Sequence, residues 1–192
     1  METLGPTDPD RALVKRAQQG DKAAFGILVR RHQDAIYGLA LRFTGDPDQA
    51  KDLAQDAFIA IYRALPTFRG EGKFMTWAYV VVRNLCYARS KTSGRELAIL
   101  DGGDEGSWRD RLESLEGDPA IALLVKDTHQ GVQEAMMELS PKYRLAIALY
   151  HFQELSYEEM AEVLSLPMGT VKTHLFRAKA ALKEILERRG LV

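Results

Sequence analysis

The chain has 192 residues, of which 46% are hydrophobic and 28% are charged, and its net charge at pH 7 is −1. This length suits one domain or two small ones, and the composition is that of an ordinary globular protein. The N-terminus has no apolar signal-peptide core and no stretch approaches 18 apolar residues, so we predict a cytoplasmic protein without membrane insertion.

The charges divide the chain into three parts. Residues 1–91 carry 14 Lys and Arg against 10 Asp and Glu, residues 92–118 carry 3 against 8, and residues 119–192 carry 9 of each kind. The middle part also loses the helical periodicity and is rich in Gly, Ser and acidic residues. We therefore predict an all-α protein with two small helical domains, residues 1–91 and 118–192, joined by a flexible acidic linker at 92–117.

Helix starts are marked by one repeated pair, an Asp or Ser followed by Pro. The first side chain can accept a hydrogen bond from a free helical N–H, and Pro at the first helical position loses a donor that has no partner there. Asp21 is a further candidate for an N-terminal cap. The pairs are Asp8-Pro9, Asp46-Pro47, Asp118-Pro119 and Ser140-Pro141.

The segment "DPDQAKDLAQDAFIAIYRALPTF" reads as a helix with an apolar stripe on one face. Asp52, Gln55 and Asp56 lie together on a different face. That acidic face is either a solvated surface or a docking surface for another protein. The stripe comprises Ala50, Leu53, Ala57, Ile61 and Ala64.

The glycine loop "FRGEGKF" leads into the helix "MTWAYVVVRNLCYARSK", which has two different faces. Basic residues alternating with aromatic ones suit the stacking of unpaired bases along a phosphate backbone. The only cysteine, Cys86, is predicted to be a buried helix residue rather than a redox switch. The apolar stripe is Phe74, Trp77, Ala78, Val81, Leu85 and Ala88, and the opposite face is Thr76, Tyr79, Arg83, Tyr87 and Ser90, with Lys91 beside it.

The segment "LSYEEMAEVLSLPMGTVKTHLFRAKAAL" has a helical pattern that breaks once, at "SLPMG". Ser156 and Glu159 have the spacing of a capping box, which fixes the start of the first helix. Pro167 cannot continue that helix but can begin the next one. A helix, a short turn and a second helix form the motif that places the second helix in the major groove of DNA.

The second helix carries an exposed aromatic residue among polar ones. Thr and Phe suit the thymine methyl group, Arg suits guanine and Lys suits phosphate, so this face is typical of duplex reading. The alternative is an ordinary helical hairpin with one exposed Phe. The apolar stripe is Val171, Leu175, Ala178, Leu182 and Ile185, and the opposite face is Thr170, Thr173, Phe176, Arg177 and Ala180, flanked by Lys172 and Lys179.

Two long motifs resemble one known family. "DLAQDAFIAIYRALPTFRGEGKFMTWAYVVVRNL" resembles region 2 of bacterial sigma factors of the extracytoplasmic-function group in the sigma-70 family. "LSPKYRLAIALYHFQELSYEEMAEVLSLPMGTVKTHLFRAKAAL" resembles their region 4, and together the resemblance covers about residues 10–91 and 118–188. It implies a sigma factor that binds RNA polymerase core, directs it to the −35 and −10 promoter elements and melts the DNA.

The resemblance also implies roles for particular residues. The acidic face falls where the family docks on the β′ clamp helices, and the linker where the family enters the polymerase cleft. Position 174, often Arg in the family, is His here. The implied polymerase-binding residues are Asp52, Gln55 and Asp56. Phe68 and Asn84 match the pocket for a flipped −10 base, and we place Trp77, Tyr79, Arg83 and Tyr87 with them on the single strand. Thr173, Phe176 and Arg177 match −35 positions, to which we add Thr170, Lys172 and Lys179.

The implied partners are the polymerase core, through its β′ clamp helices and β flap, and promoter DNA. Because no regulatory domain follows the second motif, an anti-sigma protein is also expected. A rival interpretation is a two-domain helix-turn-helix regulator that is not a polymerase subunit. An enzyme is not indicated, and neither a catalytic site, a metal site nor a cofactor is predicted, because the histidines are scattered. They are His32, His129, His151 and His174.

Overall fold

The computed structural model describes residues 8–92 and 130–191, and every regular element in these ranges is a helix. We call the two ranges the front half and the back half. The predicted linker, except for Thr92, lies outside the described residues. The front half comprises α1 (Arg11–Gln18), α2 (Lys22–Thr44), α3 (Pro47–Ala64), a 3-10 helix (Leu65–Thr67) and α4 (Phe74–Thr92). The back half comprises α5 (Gln130–Glu138), α6 (Pro141–Ile147), a π-helical segment (Ala148–Phe152), α7 (Tyr157–Leu164) and α8 (Met168–Arg188).

Two predicted caps form as side-chain hydrogen bonds. The Asp21 carboxylate accepts from the backbone N–H of Ala24 at 3.0 Å, and Asp46 accepts from Gln49 at 2.8 Å. Both bonds satisfy N–H groups that have no partner within the first helical turn. Ser140 precedes α6 as predicted, but its side chain makes no cap bond.

The prediction at Asp8 was wrong by two residues. The helix α1 begins at Arg11, with Asp10 as its N-terminal cap residue. The Asp8 carboxylate instead accepts from the backbone N–H groups of Asp10 and of Phe74, the first residue of α4. The fourth predicted start, at residues 118–119, lies outside the described residues.

The core of the front half lies where α2 and α3 pack along each other, with α1 and α4 against them. Ala64 is half-buried. The stripe predicted for α4 was partly wrong, because Val82 and Cys86 are fully buried whereas Ala88 is exposed. Neighbours cover α4 on two sides, α3 and the back half, so its buried face is wider than one stripe. Of the stripe predicted for α3, Ala50, Leu53, Ala57 and Ile61 are fully buried.

The back half is built around α8, against which α5, α6 and α7 pack. The helix α6 runs directly into the π-helical segment. Such a widened turn has no distinct apolar pattern, so the sequence did not predict it. The whole stripe predicted for α8 is buried, namely Val171, Leu175, Ala178, Leu182 and Ile185.

The two halves pack on each other through α2 and α4 of the front half. Arg144, with only 3% of its surface exposed, donates to the carbonyl of Leu139 in the back half and to that of Phe43 in the front half. A buried guanidinium is tolerated only when its donors are satisfied, so this contact ties the halves together. Nearby, the Arg42 guanidinium lies 4.1 Å from the ring centroid of Phe152.

Candidate nucleic-acid and polymerase interfaces

The predicted docking face lies on the outer side of α3. Asp52, Gln55 and Asp56 are all exposed, as the helical spacing requires. An Asp56 carboxylate oxygen accepts from Nη2 of Arg89 on α4 at 2.6 Å. The side chains of both partners are partly exposed, so this ion pair contributes little to the stability of the fold.

An apolar groove between α2 and α3 adjoins Gln55. Its walls include Phe25 and Tyr62, whose ring centroids are 4.8 Å apart, and Ile59. Ile59 and Tyr62 remain 43% and 40% exposed. Sequence reasoning missed this surface, although large apolar residues next to an acidic face were a signal. Apolar and charged groups side by side suit a protein partner.

The glycine loop, residues 68–73, brings Phe68 onto the start of α4. The Phe68 ring centroid lies 5.2 Å from that of Trp77 and 6.1 Å from that of Phe74. Gly70 has φ of 75°, a left-handed conformation that glycine adopts without strain. Asn84 is exposed and lies two helical turns after Trp77 on the same face of α4. The structure therefore sets Phe68 and Asn84 along one side of α4.

The face of α4 predicted to hold single-stranded DNA is not open in this structure. Tyr79 is only 5% exposed, and its hydroxyl donates to the Gln153 side chain of the back half at 2.6 Å. Burial raises the pKa of Tyr79, and burial likewise raises that of Tyr87. Thr76 and Ser90 are also buried. The expectation of an exposed stacking surface was wrong for this arrangement, because the sequence pattern does not show that the back half packs there.

Arg83 connects the two predicted DNA-binding motifs. Its Nη1 donates to the carbonyl of Val163 at 2.7 Å and to the Ser165 hydroxyl at 2.8 Å, both at the end of α7. Its Nε and Nη2 donate to Oδ1 of Asn84 at 3.1 and 2.7 Å. The guanidinium that was predicted to bind DNA is thus engaged by the turn of the helix-turn-helix.

A second polar contact joins the glycine loop to α7. Lys73 Nζ lies 2.7 Å from a Glu159 carboxylate oxygen. Burial acts to raise the pKa of Glu159, but the bonds from Lys73 and from the Ser156 backbone outweigh it and lower that pKa. The bond to Glu159 raises the pKa of Lys73. Both groups are therefore charged at neutral pH.

The helix-turn-helix forms as predicted. The Ser156 hydroxyl accepts from the Glu159 N–H at 3.2 Å, and the Glu159 carboxylate accepts from the Ser156 N–H at 3.0 Å. Ser165, with φ of 55°, ends α7 in a left-handed conformation. Pro167 is the N-terminal cap residue of α8 rather than its first helical residue. The turn between α7 and α8 is three residues long, residues 165–167.

The predicted duplex-reading face lies opposite the buried stripe of α8. Its members are half-buried, so each presents part of its side chain to solvent. The Thr173 hydroxyl donates to the carbonyl of Gly169 at 2.9 Å. Lys172 Nζ lies 5.4 Å from the ring centroid of Tyr157. These half-buried residues are Thr170, Lys172, Thr173, Phe176 and Arg177.

Lys179 does not lie on this face. It is 3% exposed and its Nζ lies 4.8 Å from the ring centroid of Tyr150, so the prediction of a phosphate contact was wrong for this arrangement. The reason is positional, since Lys179 follows Leu175 by one turn and therefore sits beside the buried stripe. Burial, together with the Lys179 charge, lowers the pKa of His151 to about 4. His151 is thus neutral at pH 7.

Sequence reasoning missed the residues that hold the halves together. Gln153 and Ser165 had no signal, because single polar residues at the end of a helix are common on any surface. Arg144 did have one, since it directly precedes the apolar run "LAIAL" within a helix, and an Arg buried there must find acceptors.

Other classes of site find no support in the described ranges. Cys86 is fully buried, as predicted, and burial raises the pKa of its thiol to about 12. Residues 8–92 and 130–191 contain no cluster of His, Cys, Asp and Glu that could hold a metal ion. Across the same ranges, no helix is both long enough and apolar enough to cross a membrane.

Comparison with known families identifies each half. Residues 28–96 match the profile for Sigma-70 region 2, and residues 129–182 match that for Sigma-70 region 4. The helix α1 precedes the first match, so it belongs to neither profile.

Curated relatives match over nearly the whole chain. The RNA polymerase sigma-H factor of Pseudomonas aeruginosa is 37% identical over 188 residues, which is 94% of this chain and 95% of that protein. The ECF RNA polymerase sigma-E factor of Haemophilus influenzae is 32% identical over 93% of this chain and 95% of its own length. The corresponding factor of Escherichia coli K12 is 34% identical over 90% and 92%.

Solved structures share the fold. The structure of CnrH in complex with the cytosolic domain of CnrY superimposes with a TM-score of 0.68 at 28% identity, covering 94% of this chain and 99% of that one. The sigma factor RpoE of Bartonella quintana, in complex with the anti-sigma factor NepR, gives a TM-score of 0.63 over 85% and 96%. At 22% identity, the second similarity concerns the fold alone.

Proposed function

The chain belongs to the extracytoplasmic-function group of the sigma-70 family and is a transcription initiation factor, and on that premise we propose how its two halves divide the work. The front half docks on RNA polymerase core and melts the −10 element. The back half reads the −35 element. What supports this proposal is that the two candidate faces lie on α4 and on α8, one in each half of the chain.

Docking uses the outer side of α3. Asp52, Gln55 and Asp56 supply exposed acceptors for a basic helical partner such as the β′ clamp helices. The adjoining groove with Ile59 and Tyr62 supplies the apolar area that an exposed ion pair lacks. Polar and apolar groups together account for a stable assembly with the core.

Melting uses the glycine loop and α4. Phe68 and Asn84 form the pocket for a flipped −10 base, with Trp77 beneath the Phe68 ring. Tyr79, Arg83 and Tyr87 then hold the neighbouring unpaired bases and phosphates, once the back half has moved away. Because Arg83 cannot serve DNA and the α7 turn together, promoter opening requires the halves to separate.

Reading of the −35 element uses the outer face of α8. Thr170, Thr173, Phe176 and Arg177 contact base edges and Lys172 contacts phosphate, whereas Lys179 is left out because it is buried. The net charge of −1 provides little counterion release, so the free protein binds duplex DNA weakly. The polymerase supplies the missing affinity by holding both halves on the promoter at once.

Regulation and location follow from this assignment. The packed arrangement covers the single-strand face, so it is a resting state, and an anti-sigma protein that stabilises it would keep the factor inactive. The β flap of the core would bind the back half and favour the opposite state. We place the protein in the cytoplasm with its polymerase, and we propose that it acts by binding, without a reaction of its own.

Run-off transcription with core polymerase on a promoter library tests the class. A chain that supports promoter-specific initiation and co-purifies with core is a sigma subunit. A chain that binds duplex DNA through α8 but never associates with core would instead be a helix-turn-helix regulator, and the proposal would fail.

Asn84→Ala tests the pocket. Flipping a base costs a few kcal/mol of stacking and pairing, which the pocket must offset. The variant should bind core and form closed complexes normally, yet open duplex promoters poorly, and a template already mismatched across the −10 region should rescue it. Permanganate footprinting of the −10 thymines on both templates measures this. Normal opening of the duplex, or an equal defect on the mismatched template, would place the pocket elsewhere.

A further inference from the structure

The helix α1 lies outside the region 2 match, yet it contacts the loop that leads to the pocket. Gln18, its last residue, donates through Nε2 to the carbonyl of Leu65 at 3.0 Å and to that of Phe68 at 2.8 Å. These two carbonyls stand at the start of the glycine loop, residues 68–73. One amide therefore fixes the end of the loop that carries Phe68.

The segment before α1 holds the other end of the loop. The Asp8 carboxylate accepts from the backbone N–H of Phe74 at 2.7 Å, where the loop joins α4. Its second oxygen accepts from the N–H of Asp10 at 3.0 Å. The two ends of a six-residue loop are thus bound by residues that are ten positions apart in the chain.

The segment is itself anchored firmly. The Asp10 carboxylate is 2% exposed, lies 2.6 Å from Nε2 of His32 and pairs with Arg31 on α2. The His32 ring in turn lies 5.9 Å from that of Phe74, centroid to centroid. Together with the buried Val14, these contacts hold α1 on the front half.

Separation of the halves would break the contact of the glycine loop with the back half but not its contacts with α1 and the segment before it. Lys73 of the loop pairs with Glu159 of the back half, and separation of the halves would break that pair. Gln18 and Asp8 lie within the front half, so their bonds persist in the separated state. A loop held at both ends loses less conformational entropy when a base binds.

We propose that Gln18 and Asp8 are positioning residues for the −10 pocket, which they preset by holding both ends of the glycine loop. This inference rests on the proposed function of Phe68 and Asn84. Phe68 contacts Trp77, and Asn84 lies about 10 Å further along the same face of α4. A shift of Phe68 at the start of the loop therefore changes the width of the site that receives the base.

The test uses the full chain assembled with core polymerase and a single-stranded oligonucleotide that carries the −10 region of a promoter found by run-off transcription. Gln18→Glu keeps the shape of the side chain but removes the donor, so the Phe68 carbonyl loses its bond to Gln18 and the Leu65 carbonyl keeps only its bond from the Phe68 N–H. We expect oligonucleotide binding about tenfold weaker, the usual scale for one or two lost hydrogen bonds. Asp8→Asn leaves one acceptor oxygen where the carboxylate had two, so only one of the two N–H groups keeps its bond. This variant should also weaken oligonucleotide binding.

Matched variants separate positioning from charge and from fold. Gln18→Lys restores a donor on a flexible stem and should bind within about twofold of wild type, which is the usual error of such comparisons. Gln19→Glu makes the same charge change at an exposed neighbouring residue and should have no effect. Core affinity and helical circular dichroism should be unchanged in all of these variants.

A double variant decides whether Gln18 acts through the pocket. If it does, Gln18→Glu combined with Asn84→Ala should bind no worse than Asn84→Ala alone, because the pocket is already lost. Additive losses would mean that α1 only stabilises the fold, and the inference would be overturned. Wild-type binding by Gln18→Glu, with a defect in Asn84→Ala, would overturn it while the pocket stands. If Asn84→Ala itself shows no defect in oligonucleotide binding, the proposed pocket is refuted, whatever the result for Gln18→Glu.

Discussion

The two candidate nucleic-acid faces of the molecule differ in how far they are covered. On α4, Tyr79 is 5% exposed and Arg83 is bound to the end of α7, so the single-strand face is covered by the back half. On α8, Phe176 and Arg177 lie opposite the buried stripe and are half-buried, so part of each side chain reaches solvent. The same arrangement thus leaves the candidate duplex-reading face partly accessible and covers the candidate strand-binding face.

This difference has a physical basis in the polar character of the interface. Arg83 donates to two neutral acceptors, the Val163 carbonyl and the Ser165 hydroxyl, whereas the charged oxygens of a phosphate bind a guanidinium more strongly. A guanidinium is costly to leave without acceptors, and the back half supplies them in this arrangement. The covered state can therefore be stable and still exchange readily for promoter DNA.

The largest expected effect comes from weakening the binding of core polymerase, the step that we expect to separate the two halves. Asp56→Lys reverses a charge on the docking face and should weaken core binding by at least about 100-fold, since it places like charges together. The side chain is exposed, so the free energy of unfolding should change by about 0.5 kcal/mol or less. Fluorescence titration with core and urea unfolding measure the two quantities.

Asp34→Lys, at an exposed position on α2, is the matched control for Asp56→Lys and should bind core normally. Undiminished core binding by Asp56→Lys would mean that the α3 face is only a solvated surface. Separation of the two halves would then need a cause other than docking of the α3 face on core polymerase.

The next effect sharpens the assignment of the open face. Arg177→Ala should relax the preference at one −35 base pair and cost about 1–3 kcal/mol there. Lys172→Ala should weaken all sequences about equally and lower the salt slope by about 1. Binding of the assembled polymerase to a set of −35 variants at several salt concentrations distinguishes them. A uniform loss for Arg177→Ala would make that residue a phosphate contact.

A third effect concerns His151. This residue is adjacent in the chain to residues of the back half that contact the front half. Burial lowers the pKa of His151 to about 4, below its ordinary value of 6.5, so the folded state prefers the neutral ring. Stability from this group is complete above pH 6.5 and is lost as the pH falls towards 4. Allowing for its partial exposure, we expect a loss on the order of 1–2 kcal/mol.

The measurement is urea unfolding of wild type and His151→Gln between pH 7 and pH 4.5. Gln cannot take up a proton in this range, so the variant should show the shallower pH dependence. Equal slopes would mean that His151 is not buried as the structure describes.

The smallest effect probes the covered face directly. Glu159→Gln removes the charge that pairs with Lys73 but keeps a capping-box side chain. The free protein should then bind a single-stranded −10 oligonucleotide about two- to fivefold more tightly, the scale of a partly exposed ion pair. Glu158→Gln, at an exposed position in the same turn, is the control. Unchanged binding would show that this pair does not help to keep the halves together.

Local features were predictable because they depend on neighbours in the chain. The caps at Asp21 and Asp46 and the capping box of Ser156 each join residues three positions apart, so the spacing alone determines them. The stripe of α8 was also predicted correctly, because its apolar residues recur with the helical period and all of them are buried. The exposed acidic face of α3 also followed from periodicity.

The sequence by itself thus determined the helical class, the helix-turn-helix, the family and the candidate residues on each face. Only the tertiary structure decided which of those faces is covered. Tyr79 and Arg83 read as exposed because their partners, Gln153 and the end of α7, lie 74 or more residues away and carry no periodic signal. Burial of Lys179 and the anchoring of the glycine loop by Gln18 are of the same kind. Long-range polar contacts depend on how two surfaces pack against each other. The hydrophobic periodicity of either segment alone does not determine that packing.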